Sequence, residues 1–240
     1  MDNIFSKTVG EKSAIGQYLA DIILGANDGI ITTFVVVAGA IGASLSPTVI
    51  LIIGFANVLG DATSMGFGNY LGQKSQADYY RGQRKREERE VEETPQDESK
   101  DVKNIFESWG FKDKDADRAV QIVTSDKKVW VDFMMREELG IVETPASQAT
   151  KSGLVTFGAF VIAGVVPLVP FLVPSWSETA PLISTILAAI ELFVIGSLRS
   201  LMTSVSWIKS GVEMLLVGAL AGSLAYLVGL ILERVVESLV

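Results

Sequence analysis

The sequence has neither cysteine nor histidine among its 240 residues. Without cysteine there are no structural disulfides and no thiolate zinc sites. Without histidine, imidazole-dependent triads and the Glu-x-x-His pairs of soluble di-iron bundles are excluded. Any metal bound by this chain is held by oxygen or by methionine sulfur. Positive charge is also short: 20 Lys and Arg stand against 28 Asp and Glu, a net charge of −8. No basic face is evident that would neutralise the phosphates of a nucleic acid. Charge of either sign is scarce over most of the chain, for residues 74–143 hold 32 of the 48 charged side chains and the other 170 residues share 16. A soluble domain spreads charge over its whole surface. This distribution, with a mean hydropathy of +0.38, reads instead as an integral membrane protein carrying a polar insertion.

Five stretches reach the roughly 20 mostly apolar residues that a helix needs to cross a bilayer. They are residues 17–43, 47–70, 152–173, 180–198 and 211–232. The N-terminal MDNIFSKTVGEKSAIGQYLADII has no charged-then-apolar segment leading to a small-residue cleavage site, so the first stretch is expected to remain as a span. Ser46 and Pro47 suit an N-cap and a first-turn proline, which makes the first two spans antiparallel neighbours across a very short loop. Lys7 and Lys12, the insertion with Lys151, and Arg199 with Lys209 all fall on one side of a five-span arrangement, and basic clustering assigns that side to the cytoplasm. The turn after Ala43, the PSWSETAP loop and the ERVVESLV tail fall on the other. The expected architecture is all-α, with spans 1 and 2 in residues 1–72, a cytoplasmic helical domain in 73–143 and spans 3 to 5 in 144–240.

Within the insertion, residues 73–93 contain no proline and one glycine, so a long polar helix can continue span 2 until Pro95 ends it. Further helices are expected over 96–109, stopped by Gly110, over 113–123, and over 125–139, closed by Gly140.

Polar residues inside the spans carry the chemistry. Asn57, Asp61, Met65 and Asn69 each follow the last by four, so on a helix they form one stripe that drifts by about 120° in total. Span 1 adds Asp28 within GANDGI. A charged group at bilayer depth costs at least about 2.5 to 3.5 kcal/mol, so a cation or a proton must neutralise such acids. NDG is also a turn signature, and Asp28 in a bend before a span starting at Ile30 is the competing reading. Met65 taken alone is an ordinary core residue, and Asp61 could simply bond a neighbouring helix. Glu191 lies mid-span with no base nearby in sequence; it is protonated, paired across the bundle, or part of a proton path. Gly218 and Gly222 form a GxxxG motif that allows close helix approach, within the protomer or between protomers.

In the insertion, Glu87 and Glu90, then Glu98 and Asp101, are three apart, and Met134 and Met135 precede Glu138 by four and three. Three such faces packed together make a carboxylate-rich pocket with thioether ligands, which shifts preference from Mg²⁺ toward softer divalents such as Fe²⁺. The competing reading is a solvated helix with i,i+4 ion pairs, since Arg86, Arg89 and Glu90 alternate in that manner.

The strings NDGIITTFVVVAGAIGA in span 1, GFANVLGDATSMGFGNYLGQKSQADYY through span 2 and FMMREELGI at the end of the insertion resemble the vacuolar iron transporter family, whose members move ferrous iron, and in some cases manganese, out of the cytosol. The resemblance covers nearly the whole chain in order, and SMGFGNY with MMREELG is a specific combination. It implies a homodimer of five-span protomers, a translocation path between subunits lined by spans 1 and 2, and a cytoplasmic domain that collects metal. Residue by residue, it implies membrane ligands Asp28 and Met65 with Asn57 and Asp61 lining the path, and cytoplasmic ligands Glu87, Glu90, Glu98, Asp101, Met134, Met135 and Glu138. Two positions depart from the family pattern. Asn69 stands where many members have Glu in a GEY triplet, which bears on proton coupling there, and Asp101 stands where Glu is usual, which shortens a ligand by one methylene.

The expected function is exchange of Fe²⁺, with Mn²⁺, Zn²⁺ and Co²⁺ as other cargo, for protons. Carboxylate pKa values rise on burial and fall beside a divalent cation, so one acid holds H⁺ or a metal but scarcely both. No prosthetic group and no enzymatic activity are expected, and the host is a cell membrane in a prokaryote or a vacuole-type membrane in a eukaryote. The rival classes are a membrane-tethered metal-binding or storage module, for which Asp28 and Asp61 have no use, and an all-carboxylate di-iron oxidase.

Overall fold

The structure, a computed structural model, describes residues 14–143 and 145–239; Lys7 and Lys12, on which part of the expected orientation rests, lie outside them. Every regular element among the described residues is a helix, and five helices are long and apolar enough to cross a membrane. The chain divides into two compact units, residues 1–70 with 150–240 and residues 71–149.

The first unit contains α1 (Ala14–Gly42), the apolar half of α2 (Pro47–Glu93), α6 (Ala146–Val165), α7 (Ala180–Leu198) and α8 (Trp207–Glu237). Asn27, Asp28 and Gly29 lie inside an unbroken α1, so the bend reading of NDG is overturned. Gly29 serves contact, not turning: a Cβ there or at Gly25 would run into the backbone carbonyls of Phe160 and Thr156 on α6. Between apolar helices in lipid the hydrophobic effect contributes little, and close approach through small residues takes its place. The same device joins α8 to its neighbours, with Gly218 against Leu192 of α7 and Gly222 against the Phe34 ring of α1, which puts the GxxxG contacts inside the protomer. Between these contacts α1 is central, burying Val37 and Ala40 against Ile50, Val58 and Phe160 on one side and Ala26 and Ile30 against Leu192 and Met214 on the other.

The α1–α2 turn is as short as Ser46 and Pro47 imply. Ser44 takes a left-handed conformation (φ 51°), Leu45 N–H donates to Ala40 O at 3.0 Å, and Ser46 Oγ accepts from Val49 N–H at 3.4 Å. The third span departs from a plain helix. It is α-helical only to Val165 and continues as a 3-10 turn over Val166–Leu172, because Pro167 and Pro170 have no N–H for an i→i−4 ladder. Ser184 Oγ on α7 donates to Pro167 O at 2.6 Å and ties that turn to the bundle.

The second unit contains the polar half of α2 with α3 (Pro95–Ser108), α4 (Asp113–Thr124) and α5 (Lys127–Glu137). Its core gathers Tyr80 and Val91 of α2, Val102 and Phe106 of α3, Val123 of α4, and Trp130, Val131, Met134 and Met135 of α5. Gly110 ends α3 in the left-handed region (φ 94°), with Phe111 N–H on Phe106 O at 3.1 Å and Gly110 N–H on Glu107 O at 2.9 Å, a Schellman closure. The helix expected over 125–139 is shorter at both ends. The Asp126 side chain caps it, accepting from Lys128 and Val129 N–H at 2.8 and 3.1 Å, and Gly140 (φ 65°) turns the chain so that Ile141 N–H reaches Met135 O at 2.8 Å.

The glycine contact with α6 generates a prediction. Gly29→Leu places a branched side chain against the Phe160 backbone, which cannot retreat, and costs about 1–3 kcal/mol or more. A broadened size-exclusion profile and a lowered Tm in detergent are expected, whereas Gly158→Ala, in open space on α6, leaves both unchanged.

Candidate metal centre

Glu87 on α2, Glu98 on α3 and Glu138 at the C-terminal cap of α5 each bring a carboxylate oxygen within 4.8 Å of the other two. Cross-helix ties hold this convergence. Arg84, one turn before Glu87, pairs with Asp132 of α5, lies 3.3 Å from Glu88 and donates to the Tyr80 hydroxyl at 3.1 Å. Lys127 of α5 pairs with Glu92 of α2, and Lys103 of α3 meets Asp117 of α4 at 2.7 Å. Phe106 and Phe133 stack at 5.2 Å between centroids, fixing α3 against α5.

The electrostatics follow from crowding acids into a partly buried space. Glu87 is only 3% exposed and its Oε1 has no hydrogen-bond partner among the described residues. Burial first, then the charges of Glu98 and Glu138, push its carboxyl up to about 8. Burial also raises Glu98, although its bond with Glu87 acts the other way, and Glu138 rises through burial and then the charges of Glu98 and Asp101. Such a trio accepts either protons or a cation.

Glu90 and Asp101 do not join the three carboxylates. Glu90 Oε1 accepts from Arg86 Nε at 2.9 Å, the i,i+4 pair of the solvated-helix reading, and Asp101 accepts from the Asn104 amide at 3.4 Å. Both act on the trio through their charge. Met134 and Met135 are 0% and 1% exposed in the core of this unit, and Glu138 N–H donates to Met134 O at 3.0 Å.

The first unit carries the polar residues of the spans. Asn57 Nδ2 donates to Asp61 Oδ2 at 2.7 Å, and Asn57 Oδ1 is buried without a partner among the described residues. Asp28 and Asp61 are near enough to act on each other's charge, and the Asp28 backbone carbonyl accepts from Thr32 Oγ1 at 2.8 Å. Met65 packs against the α1–α2–α6 core. Asn69, last of the stripe, is turned toward other helices, and its amide donates to Asp21 Oδ1 at 2.8 Å and Thr156 Oγ1 at 2.7 Å. Sequence reasoning passed over Asp21. The signal was present, since it precedes Asp28 by seven residues, two helical turns, on the same face of α1. Glu191 Oε2 on α7 is sealed and has no hydrogen-bond partner among the described residues.

Against known sequences, residues 19–230 match the family described as the VIT family. The chain belongs to the VIT family. A Toxoplasma gondii relative named vacuolar iron transporter is 36% identical over 235 residues, covering 92% of this chain and 76% of the relative. Vacuolar iron transporter 1 of Arabidopsis thaliana is 31% identical over 219 residues, covering 91% and 88%, and that of Oryza sativa subsp. japonica is 34% identical over 211 residues, covering 88% and 84%. The family read from the span and insertion motifs is the one that whole-chain comparison gives. VIT family membership and five apolar helices make the chain a multi-pass membrane protein.

The raised Glu87 carboxyl has a consequence for stability. Its folded value of about 8 lies above the ordinary 4.5, so the folded state binds more protons, and the stability it contributes is present below about 4.5 and lost as pH rises through 8. Without metal, the Tm of the full chain in detergent is expected to fall from about pH 5 to about pH 9. Glu87→Gln, neutral throughout, flattens that fall; thermal unfolding at constant ionic strength measures both.

Proposed function

We propose that this VIT family member moves a divalent first-row cation, Fe²⁺ foremost and Mn²⁺ next, out of the cytosol in exchange for protons. The observation that carries this reading is the convergence of Glu87, Glu98 and Glu138 from three helices, with protons already on offer, in a chain whose other unit holds Asp28, Asp61 and Met65. The names of the relatives support iron as the cargo.

On this reading the second unit is cytoplasmic, as its basic residues and the basic α7–α8 segment imply, and the N-terminus shares that side. Glu87, Glu98 and Glu138 are the first oxygens to meet the metal. Glu90 and Asp101 join by leaving their present partners, and Met134 and Met135 add thioether sulfur that discriminates against Mg²⁺. Asp28 and Met65 make the transient site in the membrane, with Asn57, Asp61 and Asn69 along the path and Glu191 as a proton-handling group. A homodimer is supported by a stripe on α2, where Ala56, Gly60, Ser64 and Gly68 recur every four residues, all exposed, with nothing within 4 Å of a Cβ added at either glycine. Small residues at that spacing let a second helix approach closely in lipid.

Proteoliposomes with the second unit outward test the reading. Fe²⁺ uptake is expected to rise with an acidic lumen, to fall at least about tenfold in Asp28→Ala, and to need about 10- to 100-fold more metal for half-saturation in Glu87→Gln. Uptake indifferent to the pH gradient would sink the exchange, and wild-type uptake by Asp28→Ala would sink the path.

A further inference from the structure

In the first unit, α2 and α6 touch backbone to backbone where both carry glycine. A Cβ on Gly153 would meet Gly66 O at 2.6 Å and the Tyr70 side chain at 2.9 Å, and one on Gly66 would meet Gly153 O and the Phe157 side chain at 3.0 Å. Helices that cross so closely diverge on either side of the crossing, and larger side chains stand around the gap. Thr63, Phe67 and Tyr70 of α2, with Thr150, Leu154 and Phe157 of α6, line a groove of about 430 Å³ there. That volume is in the range of clefts that hold a small ligand. Phe67 and Leu154 are 63% and 66% exposed along it.

The groove lies within two candidate membrane spans, so what reaches it is a lipid or another helix. Its polarity is graded along its length. The two helices run in opposite directions, which puts Tyr70 and Thr150 at one end and Thr63 and Phe157 at the other. The Thr63 hydroxyl is spent on the Leu59 carbonyl at 2.7 Å, so that end is effectively apolar. At the opposite end, exposed Lys151 follows Thr150, four residues inside the span that begins at Ser147, and makes no ion pair among the described residues. A lysine so placed lays its stem along apolar surface and carries its ammonium to the interface. An apolar trough that ends in hydroxyls and an unpaired cation is the complement of an acyl chain that ends in a phosphodiester. A second protomer does not compete for this face, because the stripe of Ala56, Gly60, Ser64 and Gly68 is centred about 90° round α2 from it. We propose that the groove holds one anionic phospholipid, its chain against Phe67, Leu154 and Phe157 and its headgroup at Thr150 and Lys151.

Binding is read without metal or a pH gradient, so this site and the exchange reading stand or fall separately. The full chain in detergent is titrated with phosphatidylglycerol or phosphatidylcholine of identical chains while its Tm is followed. A saturable rise is expected with both, at about fivefold lower concentration for phosphatidylglycerol. Lys151→Glu erases that difference and Lys151→Arg keeps it. Leu154→Trp, which fills the groove, weakens the response to both lipids, whereas Ile162→Trp, at an exposed position of α6 outside the groove, leaves it as in the wild type. Were Leu154→Trp not to fold, Phe67→Trp would still decide. In a phosphatidylcholine nanodisc, a small fraction of chain-brominated phosphatidylglycerol quenches its added fluorescence more than the same fraction of brominated phosphatidylcholine. Equal titrations with the two lipids, a headgroup preference that survives Lys151→Glu, or an unchanged response in Leu154→Trp overturns the site. So does a groove covered by a second copy of the chain, in which Phe67→Trp escapes both quenchers and Leu154→Trp converts dimer to monomer on size exclusion.

Discussion

Glu87, Glu98 and Glu138 are held on three separate helices within reach of one another, and their mutual repulsion has to be resisted by contacts made elsewhere. Two unit charges about 4 Å apart repel by about 4 kcal/mol at an effective dielectric of 20, so the surrounding helices would splay if nothing crossed between them. What crosses is specific: Arg84 to Asp132 and Lys127 to Glu92 fasten α2 to α5, and the Phe106–Phe133 stack fastens α3 to α5. The Schellman closure at Gly110 and the Asp126 cap fix where those helices stop, and so the register of the carboxylates they carry. Protonation takes up part of the remaining repulsion: burial first, and then the charges of Glu98 and Glu138, push the Glu87 carboxyl up to about 8.

The membrane unit meets a different constraint. In lipid there is no water to satisfy a stray polar group and little hydrophobic force between helices, so packing depends on backbone contact and on hydrogen bonds between helices. Gly25 and Gly29 on α1 and Gly218 and Gly222 on α8 provide the first. Asn69 to Asp21 and Thr156, and Ser184 to Pro167, provide the second. Bringing α1 so close to α6 leaves no space for a turn at NDG, and Asp28 therefore stays on a helix, where its side chain shares charge interactions with Asp61.

Legibility in the sequence follows the range of the signal. Gly110, Gly140, Pro95 and the Ser46–Pro47 pair act within a few residues of themselves, and a helix end lies at each, two residues early in the case of Gly140. Hydropathy is likewise local enough to mark five apolar helices. Where a residue serves a partner far along the chain, spacing alone is silent. Gly29 reads as a turn former until Phe160 is seen beside it, and Asn69 reads as the end of a stripe until Asp21, 48 residues away, receives its amide. Glu90 shows the ambiguity inside one helix: the spacing that would put it with Glu87 also puts it four residues from Arg86, and the ion pair is what forms.

Partial protonation also bears on how such a centre could release what it binds. Carriage requires a site attractive enough to load and weak enough to empty. A carboxyl at about 8 is ionised to about one tenth at pH 7, so an incoming cation must displace its proton and binds about tenfold more weakly than it would to a fully ionised group. On the proposed reading the Arg86–Glu90 pair moderates the site in the same sense, since recruiting Glu90 requires separating it from Arg86. Affinity set in this way depends on the proton concentration on the loading side. A proton and a cation compete for the same oxygens of such a trio.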